Sequence, residues 1–266
     1  MTDAARDVAR AAEQSPLMRG LARGGYAANG VMHVLLGAIM ITLALGGGGD
    51  ADQAGAFAAV TEAPLGLAGV WVLAVLLAAL GVWHSLRTVR VRGGDLRAWG
   101  RRVSPAAQAV VYFVLAGIAT NVALGARPDS DERAKEASQG LLATPGGVFV
   151  LAAAGIGIAV TGICFASIGV RRSFDKVVRI PDGPAGRTLT VAAVVGYLGK
   201  GVAIGIVGVL ILVAAFRHDP GAAGGLEAAI HGLLEQAFGP ILVVLVGLGL
   251  ISYAVFSFLR VRYAKL

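Results

Sequence analysis

Six apolar runs of about twenty residues each constrain this chain more than any other feature. They cover roughly 25–45, 65–86, 105–124, 147–168, 189–216 and 240–259. As α-helix, about twenty such residues match a hydrocarbon core of about 30 Å. Barrel strands would alternate polar and apolar side chains, and these runs do not. The spacing predicts an all-α integral membrane protein with six transmembrane helices. Only 15% of its 266 residues are charged and 56% are hydrophobic, too little charge to coat a soluble domain of this length.

The charged residues predict an orientation. Of 23 Lys and Arg, 18 fall before the first run, in 87–102, in 171–187 or after Leu259. Four lie in the alternate loops (Arg127, Arg133, Lys135 and Arg217), and Lys200 lies inside a run. This positive-inside bias places both termini in the cytoplasm of a bacterial inner membrane. It also accounts for the net charge of +7, through attraction to anionic lipid headgroups rather than to nucleic acid. Residues 1–24 mix Asp3, Asp7 and Glu13 with basic residues, unlike a signal peptide. They read as an interfacial helix or a frayed end.

The runs form a threefold repeat. Asn29, Gln108 and Lys200 each stand near the start of an odd-numbered run, and Pro64, Pro145 and Ala237 follow at 35, 37 and 37 residues. Seventeen residues further lie Gly81, Gly162 and Ala254, and Arg87, Arg171 and Arg260 close the units. With two spans per unit, every copy enters from the same side, which predicts three tandem parallel two-helix repeats around a pseudo-threefold axis. The units are 25–92, 93–179 and 180–266, after the segment 1–24.

The stretch Ala22-Arg23-Gly24-Gly25-Tyr26-Ala27-Ala28-Asn29-Gly30, its partner Gly196-Tyr197-Leu198-Gly199-Lys200-Gly201 and the Pro/Gly corners resemble an actinobacterial membrane family known as domain of unknown function 1206. The resemblance covers nearly the whole chain and implies three two-helix repeats, with no established activity. The family pattern carries a basic residue where this chain has Asn29 and Gln108, and only Lys200 keeps it. The middle repeat has Ser104-Pro105 in place of Gly-Tyr.

Lys200 is the sharpest chemical feature, the one Lys or Arg read as lying well inside a span. A cation there costs about 3 kcal/mol on insertion scales. It either snorkels to the headgroups or faces the interior with Asn29 and Gln108, as a site for a polar or anionic group. His33 and Tyr112 share one repeat position a turn further on. An intramembrane His is a proton-relay group or, more commonly, a helix–helix hydrogen bond. His84, beside Trp83, reads as an interface anchor.

Segments 52–63, 130–143 and 226–237 predict short outside helices, interfacial or re-entrant. Glu62 and Glu235 are repeat-equivalent within them. HExxH, GxSxG and P-loop motifs are absent, and the four His do not cluster at ligand spacing. Cys164 is the single cysteine. The expectation is a non-enzyme without metal or cofactor that binds or conducts a small polar or anionic solute near the axis. The alternative is a scaffold that binds lipids or partner proteins. Self-association stays open.

Overall fold

The computed structural model describes residues 11, 15–91, 96–126, 129–219 and 225–265. Six long apolar helices are present: α1 (Pro16–Ala44), α3 (Gly66–Arg90), α4 (Leu96–Ala123), α6 (Gly147–Val170), α7 (Pro184–Arg217) and α9 (Gly239–Tyr263). Between the spans of each repeat lies a shorter helix: α2 (Gln53–Thr61), α5 (Ser130–Leu142) and α8 (Leu226–Leu234). The six-span, three-repeat architecture is thus in place. The interfacial helix expected in 1–24 lies mostly outside the described residues. From Pro16 onward the chain is already helix continuous with the first span, where Ser15 caps the start by accepting from the Met18 N–H at 3.1 Å.

The corners between short helix and returning span repeat the same constraint three times. Gly66, Gly147 and Gly239 each open an even-numbered span, and a Cβ on any of them would collide with the carbonyl oxygen of Val60, Leu141 or Leu233 respectively. Only glycine fits so close an approach of backbone to backbone. Asp52 and Asp129 start α2 and α5 by accepting the Gly55 and Glu132 N–H groups at 2.7 and 2.9 Å; such caps contribute about 1 kcal/mol each.

The spans follow the order α4–α3–α1–α9–α7–α6. Their most extensive packing is at the three repeat-to-repeat seams: α3 on α4, α6 on α7 and α9 on α1. Within a repeat, α1 packs on α3 and α7 on α9, whereas α4 and α6 are not packed along each other among the described residues. The middle repeat is therefore the open part of an otherwise pseudo-threefold arrangement, and α6 is the least buried span.

Small residues set how close the helices come. A Cβ on Gly162 would stand 2.6 Å from the Gly201 carbonyl oxygen, and one on Gly37 2.6 Å from that of Gly247. Backbones approach this closely in membranes because dispersion, not water exclusion, holds the helices together. At the end carrying the short helices, Phe57 of α2 and Ile230 of α8 are buried in the same core as the spans. At the opposite, basic end, the Arg179 N–H donates to the Tyr263 carbonyl at 2.8 Å, and the Lys265 N–H donates to that of Val177 at 3.0 Å. These bonds tie the end of α9 to the α6–α7 connection.

Candidate intramembrane cationic site

Each odd-numbered span carries a polar residue near its basic half, and the helix period turns two of the three inward. Asn29 of α1 is buried, and its amide donates to the Ser257 hydroxyl of α9 at 3.0 Å. One turn on, His33 Nδ1 lies 2.7 Å from the Asn29 carbonyl oxygen. A carbonyl only accepts, so Nδ1 carries the hydrogen and Nε2 presents a lone pair. Lys200 Nζ of α7 lies 3.1 Å from that Nε2 and donates to it. Lys200 thus turns toward α1, and Asn29, His33 and Lys200 form one connected group.

Aromatic faces complete the surroundings of the ammonium. Lys200 Nζ stands 4.3 Å from the Tyr253 ring centroid and 5.2 Å from that of Phe165. Such contacts contribute roughly 0.5–2 kcal/mol each, more where water is excluded. His33 also lies against Tyr253, with centroids 4.7 Å apart. Repeat geometry explains the convergence. His84, Phe165 and Ser257 each fall twenty residues after their corner positions Pro64, Pro145 and Ala237. Ser257 meets Asn29, and Phe165 meets Lys200, across equivalent seams.

Gln108 does not join them. Its amide donates back to the Ser104 hydroxyl at 3.1 Å, within its own helix. Tyr112 is buried, but it stacks on His84 with centroids 5.4 Å apart rather than on His33. His84 is fully buried and neither ring nitrogen has a hydrogen-bond partner among the described residues; it is an interior residue, not the interface anchor that its neighbour Trp83 suggested.

A second cation lies inside the bundle. In sequence, Arg260 stands with Arg87 and Arg171 among the basic residues that close the repeats, where a surface position is expected. Arg87 and Arg171 are indeed exposed, but Arg260 is buried at 7% exposure. Its guanidinium lies 4.1 Å from the Tyr26 ring centroid and 5.7 Å from that of Phe256. Tyr253 lies edge-on to Tyr197, with ring centroids 5.3 Å apart. The available signal was the spacing Tyr253, Ser257, Arg260, which puts three polar groups on one face of the last span.

Among the described residues, Lys200 and Arg260 form no salt bridge with a carboxylate, and Arg260 Nε has no hydrogen-bond partner. Every acidic residue of the chain lies outside the six apolar runs. The interior therefore holds two cations, aromatic faces and hydroxyls. Glu62 and Glu235 sit elsewhere, exposed at the ends of α2 and α8. At that end of the bundle, Asp50, Asp52, Asp129 and Glu227, drawn from all three repeats, line a surface pocket of about 250 Å³.

An all-α membrane bundle of three two-helix repeats with a cationic, aromatic interior defines the class. The family model for Domain of Unknown Function (DUF1206) matches three times, at residues 24–90, 103–172 and 195–264, and the chain belongs to this family. It is 24% identical over 263 residues to an uncharacterized protein, YxxB, from Bacillus subtilis (strain 168), covering 94% of this chain and 93% of that one. No solved structure matches the chain.

Proposed function

We propose that this protein is a non-enzymatic inner-membrane protein that takes a small anion, or a polar solute with anionic character, into its bundle at Lys200. The observation that carries this reading is the inward-facing ammonium, held by His33 in an interior with a second cation and, among the described residues, no carboxylate partner. Cations are costly at this depth, and those retained there generally serve a path or a ligand. Among the described residues, no nucleophile, base and oxyanion donor are recorded together in the interior.

Uptake through purified protein in liposomes tests this, with wild type beside Lys200→Ala. The panel comprises chloride, nitrate, small cations and neutral polar solutes. Anion uptake by wild type, lost or re-selected in a folded Lys200→Ala variant, is the expected result. Selectivity for cations in wild type would overturn it.

The close backbone contacts, such as Gly162 with Gly201, favour one other reading: a rigid scaffold whose basic end binds anionic lipids or partner proteins. On that reading no solute moves in either protein, and co-purifying lipids or proteins become the object of search.

We also place the basic end, with both termini, in the cytoplasm. In a Cys164→Ser background, cysteine at Thr144 is expected to react with an impermeant thiol reagent added to intact cells, and cysteine at Arg171 only after permeabilisation. The reverse pattern would invert the topology.

A further inference from the structure

We propose that a proton on His33 is the condition for anion binding at Lys200, so that anion and proton enter the site together. This rests on the reading of Lys200 as an anion site and deepens it.

Three electron-rich groups face the Lys200 ammonium: the His33 Nε2 lone pair at 3.1 Å, the Tyr253 face at 4.3 Å and the Phe165 face at 5.2 Å. Each attracts the cation and repels an anion approaching it, because aromatic faces and lone pairs both present negative potential. Two of these faces are fixed in character. His33 alone can reverse, because protonation turns Nε2 from acceptor to donor.

The Asn29 carbonyl at 2.7 Å keeps Nδ1 protonated throughout, so the change is confined to the nitrogen that faces Lys200. Two opposed donors cannot share a contact of 3.1 Å. A protonated His33 therefore parts from Lys200 unless an acceptor enters between them, and an anion is that acceptor. The charge balances. The pair carries one positive charge when Lys200 donates to neutral His33, and one again after a proton and a monovalent anion have both entered. No bond other than N–H is made, and the proton comes from water.

The titratable and charged groups around His33 are few. Among the described residues, Lys200 of α7 and Tyr253 of α9 stand directly against it; beyond them lie Tyr197 of α7 against Tyr253, Arg260 of α9 on Tyr26 of α1, and His84 with Tyr112 where α3 meets α4. Asp52 and Glu62 bound α2, which packs on the other end of α1. No carboxylate stands beside His33 to stabilise its imidazolium among the described residues, so the incoming anion does so. By reciprocity the anion must then strengthen proton binding at His33 by the same factor that the proton strengthens anion binding.

The test uses proteoliposomes with a trapped pH dye, the membrane voltage clamped with potassium and valinomycin, and chloride or nitrate supplied outside. These are strong-acid anions, and protein-free vesicles set the leak. Expected are acidification of the lumen with one proton per anion, and uptake that rises by up to about tenfold per pH unit lowered, the limit for one required proton. His33→Gln keeps an acceptor toward Lys200 but takes no proton, and its uptake should fall to the level of empty vesicles at every pH. Should that variant fail to fold, the wild-type acidification decides alone. Anion uptake that ignores pH and leaves the lumen unchanged overturns the coupling and leaves the anion site standing. Absence of uptake for both probes at every pH removes the anion site itself, and the coupling with it.

Discussion

Replacing Gly199 with leucine should abolish the folded bundle, whereas Gly205→Ala, six residues along the same helix, should leave it intact. A Cβ at Gly199 would lie 2.6 Å from Gly249 Cα and 3.1 Å from its carbonyl carbon. Both obstacles are backbone, so no rotamer change relieves them. Overpacking against movable side chains already costs about 1–3 kcal/mol. Here α7 and α9 must separate along their length, which also pulls Lys200 from the Tyr253 ring. At Gly205 nothing lies within 4 Å of the added carbon, and alanine favours helix over glycine by up to about 1 kcal/mol. Size-exclusion profiles and thermal melting in detergent check both variants. Gly199→Leu eluting and melting as wild type would mean that the helices do not meet at Gly199 and Gly249.

That pair also shows what the sequence carries and what it withholds. Glycine inside apolar runs announces close packing, and the equal spacing of three corners announces the repeat. Neither says which glycine meets which, because that depends on rotation of helices about their own axes. Six spans are legible from length alone; repeat register puts Asn29 and Lys200 at one depth but leaves open whether Lys200 turns inward or reaches the headgroups. Gln108 holds the same register but has Ser104 one turn before it, an acceptor that the other two copies lack. A local bond to a neighbouring hydroxyl therefore takes the amide that symmetry would send inward. The gap between α4 and α6 is not announced by α6, which is as apolar as its counterparts, although α4 is the least apolar of the six spans.

The inward turn of Arg260 is hidden in the sequence for a related reason. At the end of a span, an arginine that reaches headgroups and one that folds inward look the same from the chain. Arg87 and Arg260 each stand 23 residues after their corners. What separates them is Tyr26, on the first span, which places a ring 4.1 Å from the Arg260 guanidinium. A partner more than two hundred residues away is invisible to any window along the sequence.

Arg260→Met is expected to fold as stably as wild type while losing anion uptake by on the order of tenfold, equivalent to about 1.4 kcal/mol of lost charge interaction. Burying an arginine in a span costs about 2.5–3.5 kcal/mol on insertion scales, and a donor such as Nε without a partner adds about 1–3 kcal/mol. Against this stand two aromatic contacts of roughly 0.5–2 kcal/mol each. The costs at least match the gains, so removing all of these terms does not lower stability. Methionine follows a similar unbranched path and adapts to the space left behind. Arg260→Lys separates charge from shape, because an ammonium keeps the desolvation cost but loses the planar stacking on Tyr26. For an arginine kept for its charge, melting should rank Met at or above wild type and wild type above Lys. Anion uptake should rank wild type above Lys and Lys above Met. A purely structural arginine would instead leave Arg260→Met the least stable of the three, with any uptake by the variants following the amount of folded protein. Melting temperature and uptake measured on the same preparations therefore decide whether Arg260 belongs to the path or only to the packing.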